Sequence, residues 1–130
     1  MSKPKIMFYH DGRHPLIYMY EPPMQKEEYQ EAVDQLVGTP VEAINFTTGD
    51  GRTMLHETEA GELWGTVNKK WSQILFRRTH QNAKNLILEG NDPLKVAIDR
   101  AHEKNKLMYP VLLVQQGSGE YGVDNRTSSF

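Results

Sequence analysis

The stretch Leu107-Met108-Tyr109-Pro110-Val111-Leu112-Leu113-Val114-Gln115-Gln116 is the longest apolar run in the chain, and it stops abruptly at Gly117-Ser118-Gly119. It is short, it does not alternate, and it holds β-branched and aromatic residues. Those traits predict a strand buried on both faces, of the kind found in parallel sheets covered by helices. Ligands of such sheets gather beyond the carboxyl ends of the strands, which directs attention to Gln115 and Gln116. Proline donates nothing to a ladder, so the paired part of this strand is expected from about Pro110.

Two further strands are expected upstream. Residues 5–9 form an apolar run that ends at His10-Asp11-Gly12-Arg13-His14-Pro15, and residues 41–47 form another that ends at Thr48-Gly49-Asp50-Gly51-Arg52. Between them Tyr29, Ala32, Val33, Leu36 and Val37 fall at i, i+3, i+4, i+7 and i+8, one face of a helix over 24–37. Glu27, Glu28 and Glu31 suit its positive end, Pro23 its entry, and Gly38 and Pro40 its termination. Strand, helix and strand make a right-handed βαβ unit. Residues 16–20 read as a short strand or as a loop lining the sheet end.

Residues 49–70 form a long connection punctuated by glycine and threonine. A loop of that length is usually functional or conceals short elements. A helix follows over 71–89 with Trp71, Leu75, Phe76, Thr79, Ala83, Leu86 and Ile87 on one face, closed by Gly90. Asp92 and Pro93 then provide an N-cap and first-turn proline for a helix striped by Leu94, Ala97, Ile98 and Ala101, which Asn105 ends in the left-handed conformation. The fold class is therefore α/β, with three mainly parallel strands in sequence order and flanking helices. Residues 1–116 form the domain and 117–130 a polar tail, with no helix to cover the third strand.

Bulk properties narrow the function classes. The 130 residues suffice for one domain with a real core. A net charge of −2 argues against a nucleic-acid partner. There is no signal-peptide pattern and no apolar run near the ~20 residues a membrane helix needs, so the expectation is a cytoplasmic protein with no membrane partner. Without cysteine there is no disulfide and no thiolate chemistry. No cofactor motif occurs: Gly49-Asp50-Gly51 fits neither a Walker nor a dinucleotide loop and reads as a tight turn.

Three polar strand ends are expected on one side of the sheet: His10 to His14, then Asn45, Thr47, Thr48, Asp50 and Arg52, then Gln115 and Gln116. His10, Asp11 and His14 are metal-ligand types, but Gly12 and Pro15 oppose the helix on which that spacing converges, and hydrogen bonding to a polar ligand is the preferred reading. Asp11, Asp50, Glu57, Glu59, Glu62 and Glu120 are the available carboxylates, and no spacing singles out a pair. Lys70, Arg77 and Lys84 read as a solvated helix face. Trp71 fits the helical stripe, which leaves Trp64 as the aromatic candidate for stacking on a sugar.

Residues 5–13 (KIMFYHDGR), 40–52 (PVEAINFTTGDGR), 91–105 (NDPLKVAIDRAHEKN) and 107–116 together resemble the N-terminal part of a glycoside-hydrolase-like TIM barrel. The Asp-Pro-Leu…Ala-His-Glu-Lys helix, followed by a strand and an Arg…Ser-Ser-Phe segment, carries the resemblance furthest. It implies a first βαβαβ portion of a barrel, with a carbohydrate cleft at the strand carboxyl ends lined by His10, Asp11, Arg13, Asn45, Asp50, Arg52, Gln115 and Gln116. The catalytic carboxylates of such barrels are expected on later strands, so the expectation is a part-barrel that binds sugar without turnover and self-associates to cover its open side. The alternatives are a small α/β interaction module using the His10–His14 loop, and a metal-dependent hydrolase using His10, Asp11 and His14.

Overall fold

A computed structural model describes residues 3–50 and 52–114. The three expected strands are present: β1 (Met7–His10), β2 (Ala43–Asp50) and β5 (Leu107–Leu113). Strand β2 lies between the other two and is parallel to both. Two strands of two residues each occupy the long connection, β3 (Thr53–Met54) and β4 (Glu62–Leu63). β3 turns back antiparallel onto the end of β2, and β4 is parallel to β3, which makes the five-stranded sheet mixed. Their shortness explains why no periodicity announced them.

The helices are α1 (Lys26–Asp34), α2 (Ile74–Leu88) and α3 (Pro93–Glu103). Each end has a local cause. Helix α1 starts two residues later than the apolar pattern suggests because Gln25 and Glu28 form a capping box, with the Gln25 N–H donating to Glu28 Oε1 at 2.7 Å. The Asp92 carboxylate accepts from the Lys95 N–H ahead of Pro93, and Asn105 follows α3 at φ 57°. Of residues 16–20, expected as a strand or loop, 16–19 belong instead to a π-helix over Pro15–Met19, which the extended Tyr20 follows. Asn82 on α2 holds that turn, its Nδ2 donating to the Leu16 and Tyr20 carbonyls at 2.9 Å each. Arg78, one turn earlier, donates to the Ile17 carbonyl at 3.1 Å.

The strand order has a decisive consequence. The main strands advance across the sheet in chain order, so two right-handed crossovers put every covering helix on the same face. The core cluster bears this out. Tyr29, Ala32 and Val33 of α1, Ala83 and Leu86 of α2, and Val96, Ala97 and Ala101 of α3 pack against Ile44, Phe46 and Met108. These sheet residues share one parity. Among the described residues no helix covers the face of the other parity, where Met7 is 49 % exposed, Tyr9 52 % and Tyr109 43 %. The expectation that 107–116 is buried on both faces is therefore corrected. β5 pairs only with β2 among the described residues, Tyr109 and Leu112 are exposed, and Pro110 sits where an edge tolerates it. Pairing also begins at Leu107, three residues before Pro110, opposite Ala43.

Among the described residues no helix is long and apolar enough to cross a membrane.

Candidate functional site at the strand carboxyl ends

The loop leaving β1 turns tightly, with the His14 N–H donating to the Asp11 carbonyl at 2.9 Å. The Asp11 carboxylate accepts the Arg13 backbone N–H at 3.0 Å and its Nε at 3.5 Å. Arg13 then reaches the end of β2, where Nη1 donates to Asp50 Oδ2 at 2.9 Å. Gly12 makes the approach feasible: a Cβ there would lie 2.4 Å from the Thr47 carbonyl oxygen and 2.8 Å from the Phe46 ring. The Tyr29 hydroxyl, buried beneath the loop, donates to the Gly12 carbonyl at 2.9 Å.

Asp50 takes its position from an irregularity in β2. The register against β5 shifts between Thr47 and Gly49, pairing Thr47 with Val111 but Asp50 with Leu113. Facing residues of a parallel pair share a side, so the extra residue moves Asp50 onto the helix-free face with Tyr9, Asn45 and Thr47. In a regular strand it would share the side of Ile44 and Phe46. Bulges commonly re-aim a side chain in this way. Gly49 adopts φ 156°, and a Cβ on it would meet the Thr53 carbonyl oxygen at 2.3 Å, so only glycine fits where β3 folds back. Asp50 is 6 % exposed and the Arg13 side chain 28 %.

The structure thus brings together Asp11, Arg13 and Asp50. Thr47, hydrogen-bonded to the Tyr9 hydroxyl, lies beneath them on the same face, and Asn45 stands one pleat further down between Tyr9 and Tyr109. Other sequence candidates lie elsewhere. His10 points to the helix side, 8 % exposed and stacked on Phe46 with ring centroids 5.3 Å apart, and burial lowers its pKa. His14 packs its ring near Tyr18. Among the described residues no three histidine, aspartate or glutamate side chains converge on a metal position. Trp64 is 1 % exposed and edge-on to Phe76, so it has no face to offer a sugar. Trp71, expected as core, precedes α2 and is only half-buried beside His80. Arg52 is exposed and its carbonyl accepts from the Glu62 N–H. Gly51, Gln115, Gln116 and residues 117–130 lie outside the described residues.

Sequence reasoning missed two positioning residues, Tyr29 and Asn82. Tyr29 sat in a helical stripe that signals only core, Asn82 was a polar residue beside one, and their polar tips found backbone carbonyls no pattern announces.

The chain matches no family model, and no curated protein is significantly similar to it.

Proposed function

We propose that this chain is a carbohydrate-binding part-barrel related to glycoside hydrolases. In this reading the sugar sits at the carboxyl ends of β1 and β2 against Asp11 and Arg13, with Asp50 anchoring Arg13 from below, and copies of the chain associate to cover the helix-free face. The observation that carries the reading is the Asp11–Arg13–Asp50 cluster on the rim of that face. Strands advancing in one direction, helices on one side and polar residues at the carboxyl ends are the traits of a (β/α) barrel segment, in which the bare face is the interior.

The chemistry suits a polyol. A sugar hydroxyl both donates and accepts, carboxylates accept, and a guanidinium donates in a fixed fork. Two carboxylates around one guanidinium leave the cluster with a charge of −1, which favours neutral sugars over uronates or sugar phosphates. The cluster holds no general acid paired with a nucleophile, and the reading is of binding rather than turnover.

Calorimetric titration with a panel of neutral oligosaccharides tests the proposal. Binding is expected for the native chain and about tenfold weaker binding for Asp50→Asn, which removes the charge that holds the Arg13 guanidinium in place. No heat with any neutral glycan, or equal affinity in Asp50→Asn, contradicts it.

A further inference from the structure

A second cleft lies away from the strand ends, where α2 faces the turn after the π-helix. It encloses about 220 Å³ and is lined by Glu21, Pro22, Ile74, Arg77, Arg78 and Gln81. Its α2 residues fall at i, i+3, i+4 and i+7, one stripe of the helix. The stripe is part of neither the core nor the carboxyl-end cluster.

Its two arginines are held differently. Arg78 is fixed: Nη1 donates to the Ile17 carbonyl at 3.1 Å and Nη2 pairs with Glu21 at 2.6 Å, with the side chain 19 % exposed. A guanidinium carries five N–H donors, so this one is oriented before any ligand arrives and still has donors to spare. Arg77 is exposed and has no ion pair or hydrogen bond among the described residues. Two guanidiniums against one carboxylate give the cleft a charge of +1, in a chain whose total is −2. Gln81 adds an amide, and Pro22 with the 72 % exposed Ile74 adds an apolar wall. The cleft has room for an oxyanion that carries a small body.

We infer that this cleft is a binding site for a small oxyanion, a phosphate or carboxylate group, held by the Arg77 and Arg78 guanidiniums with the ligand's apolar part on Pro22 and Ile74. Arg78 acts as the fixed half of the clamp and Arg77 closes on the anion from solvent. Arginine suits this task because its planar fork matches the oxygens of a carboxylate or phosphate. The site is independent of the sugar reading, because none of its residues touches Asp11, Arg13 or Asp50.

The test is a titration of the ¹⁵N-labelled full chain with inorganic phosphate and, separately, with acetate, followed by amide chemical shifts. Saturable shifts centred on residues 74–81 and the Glu21 turn are expected. The stronger of the two anions identifies the ligand chemistry. Arg77→Gln should weaken that binding about tenfold and Arg77→Lys less, since lysine keeps the charge and loses the fork. The exposed position of Arg77 leaves the fold of both variants intact, which the unperturbed remainder of each spectrum checks. Shifts that stay linear and scatter over surface lysines, or that are unchanged in Arg77→Gln, overturn the proposal.

Discussion

Arg13 and Asp50 show what a single contact does here. Asp50 is nearly inaccessible, and the Arg13 guanidinium is the charge paired with it among the described residues. Removing Arg13 leaves a carboxylate buried without its counter-ion, which costs more than the pair itself contributes. Arg13→Ala should lower unfolding free energy by about 2 kcal/mol in a denaturant melt, with much of the loss recovered in Arg13→Ala/Asp50→Leu. Equal stability of Arg13→Ala and the native chain would remove the pair from the account. His10 gives a prediction of a different sign. Burial lowers its pKa in the folded chain, so the unfolded chain takes up a proton first on acidification. The stability its neutral form contributes is complete above about pH 6.5 and is lost as pH falls through that value. His80, with its pKa lowered by burial, contributes in the same direction. The apparent melting temperature should drop between pH 7 and pH 5.5, and His10→Phe should flatten that slope by keeping the stack on Phe46 without the proton. A pH profile unchanged in His10→Phe would count against this assignment.

At the scale of elements, strongly periodic segments were legible and irregular ones were not. The Asp92-Pro93 entry of α3 and its Asn105 exit stand in the structure as the spacing required. So do the three main strands and their parallel order. Ala97 and Ala101 of the α3 stripe are buried, while Val96 takes a core place the stripe did not include and Leu94 and Ile98 are half-buried. The bulge in β2 could not be read, because it depends on how Thr47 and Gly49 meet the partner strand, and it alone decides which face Asp50 occupies. Trp64 and Trp71 exchanged expected environments for a related reason: loop or helix context in sequence says little about burial once the loop itself packs against a helix. The π-helix over Pro15–Met19 was equally hidden, since Asn82 sustains it from 62 residues beyond Tyr20. Asn82 is fully buried, and replacing it by alanine strands two carbonyls. Asn82→Ala should cost about 2–4 kcal/mol and raise hydrogen exchange first in residues 15–20. Loss of stability without faster exchange there would show that the clamp is not what holds the turn.

For the molecule as a whole, the dominant fact is that the helices among the described residues cover one side of the sheet. Met7, Tyr9 and Tyr109 expose an uncharged, largely apolar face, and β1 and β5 each leave one edge unpaired among the described residues. Such surfaces are seldom left to water. Sedimentation velocity at micromolar concentration should therefore find a dimer or larger assembly, and Tyr109→Lys should dissociate it by placing a charge in the covered face. A native chain that stays monomeric across that range would overturn the association. The rim of the same face holds Asp11, Arg13 and Asp50, and the central claim is that this rim receives a neutral sugar. The most direct test maps amide shifts of the ¹⁵N-labelled chain on titration with the tightest-binding neutral oligosaccharide. The account predicts saturable changes confined to residues 10–14 and 47–54 that disappear in Asp50→Asn. Saturable changes located elsewhere on the chain, or none at any sugar concentration, would contradict it.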